Sequence, residues 1–143
     1  MEDILNATLA GGVAIGAPCG VLYLPGVALA IGAIAGAISV IGFKFLAPKL
    51  SETIELHDSC GVHNLHGIPG IIGGISSGII IACYNLGYDS AVFANFGPNN
   101  VFASRSGTFL NQGGLQIAGT FVSVIMGIIF GVIAGFIILF IYK

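Results

Sequence analysis

His57, Cys60, His63 and His66 fall at every third residue of the run HDSCGVHNLHGIPGIIGG (57–74), with Asp58 beside the first. Imidazole and thiolate are standard transition-metal ligands, so one chemistry this spacing suggests is a metal or haem site. Helical geometry weighs against it. Steps of three turn a helix by about 300°, so each residue slips about 60° from the last and the four cannot converge on one ion. Cys60 with His63, or His63 with His66, could supply a pair of ligands, but the chain has no further Cys/His cluster to complete the set. No metal and no cofactor are expected. The other chemistry is hydrogen bonding, because a neutral imidazole offers one donor and one acceptor. In a narrow apolar pore such a ring holds ammonia or water while replacing too little of an alkali cation's hydration.

That reading depends on where the helix sits. Residues 59–88 hold no Asp, Glu, Lys or Arg, and neither do residues 4–43 or 106–142. Each window exceeds the ~20 apolar residues that cross a bilayer as a helix. Mean hydropathy is +1.03. Only 7% of residues are charged, against roughly 25% in soluble domains. The chain is a membrane protein on these grounds. An imidazole at membrane depth is costly unless it faces a cavity, a partner or a transported species. His66 lies about two turns deeper than the polar end and precedes a Gly/Pro-marked helix of the kind that lines transport paths. It is the leading functional candidate. His57 and His63, nearer the polar end, read as packing histidines. Asp58 reads as a helix-start residue that accepts orphan N–H groups and complements the dipole, and secondly as a charge at the mouth of a path.

The elements that must position these residues form an all-α polytopic transmembrane bundle of about four spans. They are expected at 4–24, 27–46, 60–84 and 115–142, with an extramembranous loop at 85–113. Pro18 predicts a kink in the first span. Pro25-Gly26 marks a reversal, and the second span is expected to end before Pro48, ahead of the polar segment Lys49–Asp58. The loop carries Phe93, Phe96, Phe102 and Phe109, which predict some packing of its own, and Pro98-Asn99-Asn100 reads as a turn. Cys19, Cys60 and Cys83 read as buried thiols acting as small hydrophobes.

Glycine supplies the helix-packing signal. Gly12, Gly16 and Gly20 repeat at four-residue spacing, as do Gly32 and Gly36, then Gly70, Gly74 and Gly78, then Gly127, Gly131 and Gly135. Small residues at that spacing let helix backbones approach closely, which matters in lipid because apolar burial alone does not bring helices together. Gly70, Gly74 and Gly78 also continue the line of His66 by fours, setting the imidazole on the packing face. Lys44, Lys49 and Lys143 share one side of a four-span topology and Arg105 takes the other, so both termini are expected in the cytoplasm. Met1-Glu2-Asp3 is acidic where a secretory signal is basic. A net charge of −2 and the lack of a basic patch exclude nucleic acid as a partner.

In sequence, HDSCGVHNLHGIPGIIGG (57–74), NATLAGGVAIG (6–16) and GAIAGAISVIGFKFLAPKL (32–50) together resemble the C-terminal part of the ammonium transporter family. They are nearest its Rhesus-glycoprotein branch, where Asp-Thr-Cys-Gly followed by Asn-Leu-His-Gly-Ile-Pro-Gly is characteristic. NQGGLQIAGTF (111–121) is similar to that family's last core helix. The resemblance implies conduction of ammonia or ammonium, with carbon dioxide a further candidate, through a hydrophobic pore in each subunit of a trimer. It implies that paired histidines from different helices line the pore, one of them at the position of His66. It matches Asp58 to the acidic residue that opens the block and Asn6 and Thr8 to a polar helix start. His63 stands where the family pattern admits Asn and is left outside the pore.

His66, Asp58 and Asn64 are therefore the expected substrate-pathway residues, and Gly12, Gly16, Gly70, Gly74, Gly78, Gly127 and Gly131 the expected packing residues. Family subunits have many more spans than four, and the partner histidine lies on helices outside this stretch. Transport is thus expected within a larger assembly in the plasma membrane, as a homotrimer or with a full-length relative. The alternative is a non-conducting or truncated membrane subunit that docks on such a relative. No nucleophile–base pair, phosphate-cradling motif or paired carboxylate suggests an enzyme.

Overall fold

The computed structural model describes residues 1–22, 24–83 and 109–142, with the backbone alone for 109–112. Most of the expected loop, its phenylalanine packing, the Pro98-Asn99-Asn100 turn, Arg105 and Lys143 lie outside the described residues. Most of the rest is helical. We number α1 (Glu2–Gly16), α2 (Pro25–Ile41), α3 (Ala47–Ile54), α4 (Ile68–Cys83) and α5 (Phe109–Ile141), and no strand occurs among the described residues.

Proline shapes each of the first three helical runs. The first ends at Gly16 rather than kinking at Pro18. Pro18 has no N–H for the Ala14 carbonyl, and its ring crowds that turn. The chain instead passes through an irregular turn held by Cys19 N–H to the Ile15 carbonyl (3.0 Å) and Val21 N–H to the Pro18 carbonyl (2.9 Å). Pro25 then opens α2 at its first turn, where a missing N–H costs nothing.

Pro48 does not end the second run. The helix continues from Pro25 to Ile54 as one 30-residue rod, because it widens into a π-turn over Gly42–Leu46 immediately before the proline. Ala47 N–H bonds the Gly42 carbonyl, one residue further back than in an α-helix, which makes room for the Pro48 ring. Pro69 is met in the same way. A second π-turn over His63–Gly67 precedes α4, and Ile68 N–H bonds the His63 carbonyl.

Three helical runs among the described residues are long and apolar enough to cross a membrane: Pro25–Ile54, His63–Cys83 and Gly113–Ile141. The expected first span is instead a 15-residue helix, about 22 Å long, followed by the Pro18 turn. The last helix starts at Phe109, inside the expected loop.

The helices pack backbone to backbone. A Cβ on Gly11 would lie 3.0 Å from the Gly32 carbonyl oxygen, and one on Gly36 would lie 2.8 Å from that of Ala7. These pairings make α1 and α2 antiparallel. Gly73 meets the Ala14 carbonyl, the one deprived of its donor by Pro18. Gly74 faces Thr120, and Gly78 faces Ile117 and Gly113, so α4 and α5 are antiparallel too. A small apolar core of Val21, Ile80 and Ile81, with Leu22, Val27 and Ile31 against it, closes one end.

Side chains at Gly12, Gly16, Gly70, Gly127 and Gly131 would meet nothing within 4 Å in this chain. From Phe121 to Tyr142, α5 is exposed except at the half-buried Val124. An apolar helix of that length needs lipid or other helices around it.

The contrast between neighbouring glycines is testable. Gly73→Ala, which must push α1 off α4, is expected to destabilise the purified chain in detergent by about 1–3 kcal/mol. Gly70→Ala, with open space around it, is expected to leave the melting curve in place.

Candidate functional site

The polar block forms a helix entrance. Glu55 takes a left-handed conformation (φ 53°) that ends α3, and Gly61 takes a second positive φ (67°) that starts the next helix. A side chain at Gly61 would also collide with the Phe43 ring, so only glycine suits the position. His57 lies in the connection, exposed, with Nδ1 donating to the Glu55 carbonyl at 2.8 Å.

Asp58 caps the helix with both carboxylate oxygens. Oδ1 accepts Val62 N–H at 2.9 Å and Oδ2 accepts His63 N–H at 2.8 Å. The acid thus satisfies helix-start donors and sets its negative charge at the positive end of the dipole. A second acid, Asp3 at the start of α1, pairs with Lys44 of the first π-turn at 3.2 Å, with both side chains more than half exposed.

The widened turn decides where the following side chains point. His63 is half-buried, and its Nδ1 is shielded from solvent without a hydrogen-bond partner. Asn64 is only 1% exposed, and its Oδ1 is likewise unpartnered. A methyl on Gly42 would overlap the Asn64 carboxamide, so Asn64 fills the seam where the two π-turns face each other. Ser39, one turn before Gly42 on the same helix, is fully buried, and its Oγ also lacks a partner. His66 is exposed.

Asp58, His63 and Asn64 are thus grouped at one helix start, while His66 points away from the packed interior of this chain. Sequence reasoning set His63 aside and did not single out Ser39. The signal for Ser39 was present in the small-residue stripe Gly32, Gly36, Ser39, Gly42, which continues the α1-facing edge of α2. The three cysteines are a correction: Cys19, Cys60 and Cys83 are free and exposed rather than buried. They sit in the turn after α1, in the turn before the second π-turn and at the last residue of α4, all element ends where the seams do not reach. Among the described residues, no three His, Cys, Asp or Glu side chains come together as metal ligands.

A helix bundle with a capped, π-widened and histidine-bearing helix start is the arrangement on which comparison with known proteins bears. The family model of the Ammonium Transporter Family matches residues 1–143. The chain belongs to that family. This family member is 41% identical over 135 residues to "Ammonium transporter Rh type C" of Xenopus tropicalis, covering 90% of the chain and 28% of the relative. It is 43% identical over 141 residues to the Rh type C protein of Bos taurus, covering 96% and 30%. Against "Ammonium transporter Rh type A" of Bos taurus it is 55% identical over 82 residues, covering 57% and 19%. It thus spans under a third of the length of these curated relatives.

The cap of this ammonium transporter family member yields a further expectation. Asp58→Ala leaves the Val62 and His63 amides without acceptors and is expected to cost about 1–2 kcal/mol. Hydrogen exchange should quicken at those amides first. Equal protection in the variant and the unchanged chain would refute the capping role.

Proposed function

We propose that the chain contributes one wall of an ammonia/ammonium pathway and conducts only when further family helices complete it. The observation that carries this reading is His63. Its Nδ1 is shielded by protein yet has no partner among the described residues, so that edge of the ring is left for a species small enough to enter the packed interior. A polar group left in that state inside a membrane helix is costly unless a partner or a passing substrate uses it. Neutral imidazole suits ammonia, which can both donate and accept a hydrogen bond.

In this reading His63 is the path-lining imidazole. Asp58 stands at the entrance with both oxygens engaged, and Asn64 holds the seam behind the ring. His66, exposed on the far side of the same turn, faces a neighbouring helix or subunit. The basic residues Lys44 and Lys49 lie at the end of the bundle that holds Met1, which favours a cytoplasmic entrance at Asp58. The trimer and the plasma membrane belong to the same proposal by family membership.

The test is methylammonium uptake in transporter-deficient cells that produce the chain, alone and together with a full-length Rh-type relative. Uptake attributable to the chain is expected only in the co-producing cells. It should fall at least about tenfold with His63→Ala, an effect of the size expected when a key polar group leaves a site. With His66→Ala it should fall by less than about threefold. The reverse order would return the path to His66.

A second reading is a non-conducting subunit that docks on a full-length relative. The bare apolar surface of α5 from Phe121 to Tyr142 favours it. Co-purification with the relative, without any uptake that responds to His63→Ala, would select this reading over the first.

A further inference from the structure

Two buried side-chain oxygens, one on α2 and one in the second π-turn, lack hydrogen-bond partners among the described residues. Ser39 is 0% exposed and Asn64 1% exposed, and neither Ser39 Oγ nor Asn64 Oδ1 has a partner. Burying polar atoms unpaired is unfavourable, and the more so in a helix bundle surrounded by lipid. His63 differs, because it is only partly buried. Whatever satisfies Ser39 and Asn64 must be small enough to sit inside this chain.

They lie near one level of the bundle. Ser39 and Gly42 are three residues apart, hence on one face of α2, and Gly42 abuts the Asn64 carboxamide. The backbone there is also short of donors. Ala47 N–H bonds Gly42 instead of Phe43, and Pro48 offers no N–H to Lys44. Ile68 N–H bonds His63 instead of Asn64, and Pro69 offers none to Leu65. Both helices therefore bring carbonyl groups without their regular donors to the level where they meet.

We propose that Ser39 and Asn64 hold one internal water molecule between the two π-turns, separate from any conduction path. Asn64 Oδ1 can only accept, so the ligand must donate. Ser39 Oγ can donate or accept, so the ligand can also receive a bond. Water does both, and buried waters in proteins typically make two to four such bonds. The water ties α2 to α4 at the depth where each has lost regular helix bonds, and so sets the register of the seam. This holds whether or not the chain conducts.

The decisive measurement is made on the unchanged full-length chain, isotope-labelled in lipid nanodiscs. Magnetisation transfer from water to the Asn64 carboxamide protons is expected, with the sign of a long-lived bound water. Its absence overturns the proposal, and so does a Ser39 hydroxyl found donating to the Ala35 carbonyl, its alternative within the helix. Variants give an independent reading. Ser39→Ala and Asn64→Leu should each lower the melting temperature by about 4 °C or more. The double variant should melt no lower than the worse single, because both remove the same water. Ser39→Thr, which keeps the hydroxyl, should restore most of the loss. An Asn64→Leu chain that melts at or above the unchanged one, or losses that simply add, would overturn the shared water.

Discussion

A proline within a membrane helix removes one N–H and presses its ring on the carbonyl four residues back, where no water is present to compensate. This chain meets that constraint at Pro18, Pro48 and Pro69, and its shape follows from how each is resolved. At Pro18 the helix stops and turns. At Pro48 and Pro69 it widens by one residue into a π-turn and continues. The first solution leaves α1 short. The second keeps two long rods intact but rotates every side chain beyond the widening.

Small residues make those solutions compatible with tight packing. Gly11 with Gly32, Gly36 with Ala7, and Gly73 with Ala14 bring backbones together without intervening side chains. In lipid this close approach replaces the hydrophobic drive that assembles soluble bundles. Gly42 does something more specific. It clears space for the Asn64 side chain at the level of both π-turns, so a polar group becomes the contact between the helices. Asp58 then anchors the start of the second widened helix through paired N–H bonds.

Much of this architecture was legible in the residues. The long charge-free windows implied membrane helices, and the ordered blocks 6–16, 32–50, 57–74 and 111–121 implied the family to which the chain belongs. Asp58 read as a helix start because an acid ahead of an apolar run has few other uses there. The continuation of the helix through Pro48 was not legible, because a proline after a polar-flanked apolar run normally marks an end. Nor was the inward turn of His63. Counting by threes and fours assumes α-helical spacing, and a π-turn breaks that count between His63 and Gly67. The exposure of the cysteines escaped for a related reason, since apolar neighbours in sequence do not say whether a residue lies on a seam or at an element end.

The sequence by itself determined the solvent in which this protein lives, the family to which it belongs and the few polar residues available for function, because each is written in composition and local order. Tertiary structure alone decided which histidine turns inward and which polar atoms are left unpaired. Those outcomes depend on how two widened helices face one another across Gly42 and Asn64, a relation between residues some twenty positions apart that no local pattern contains.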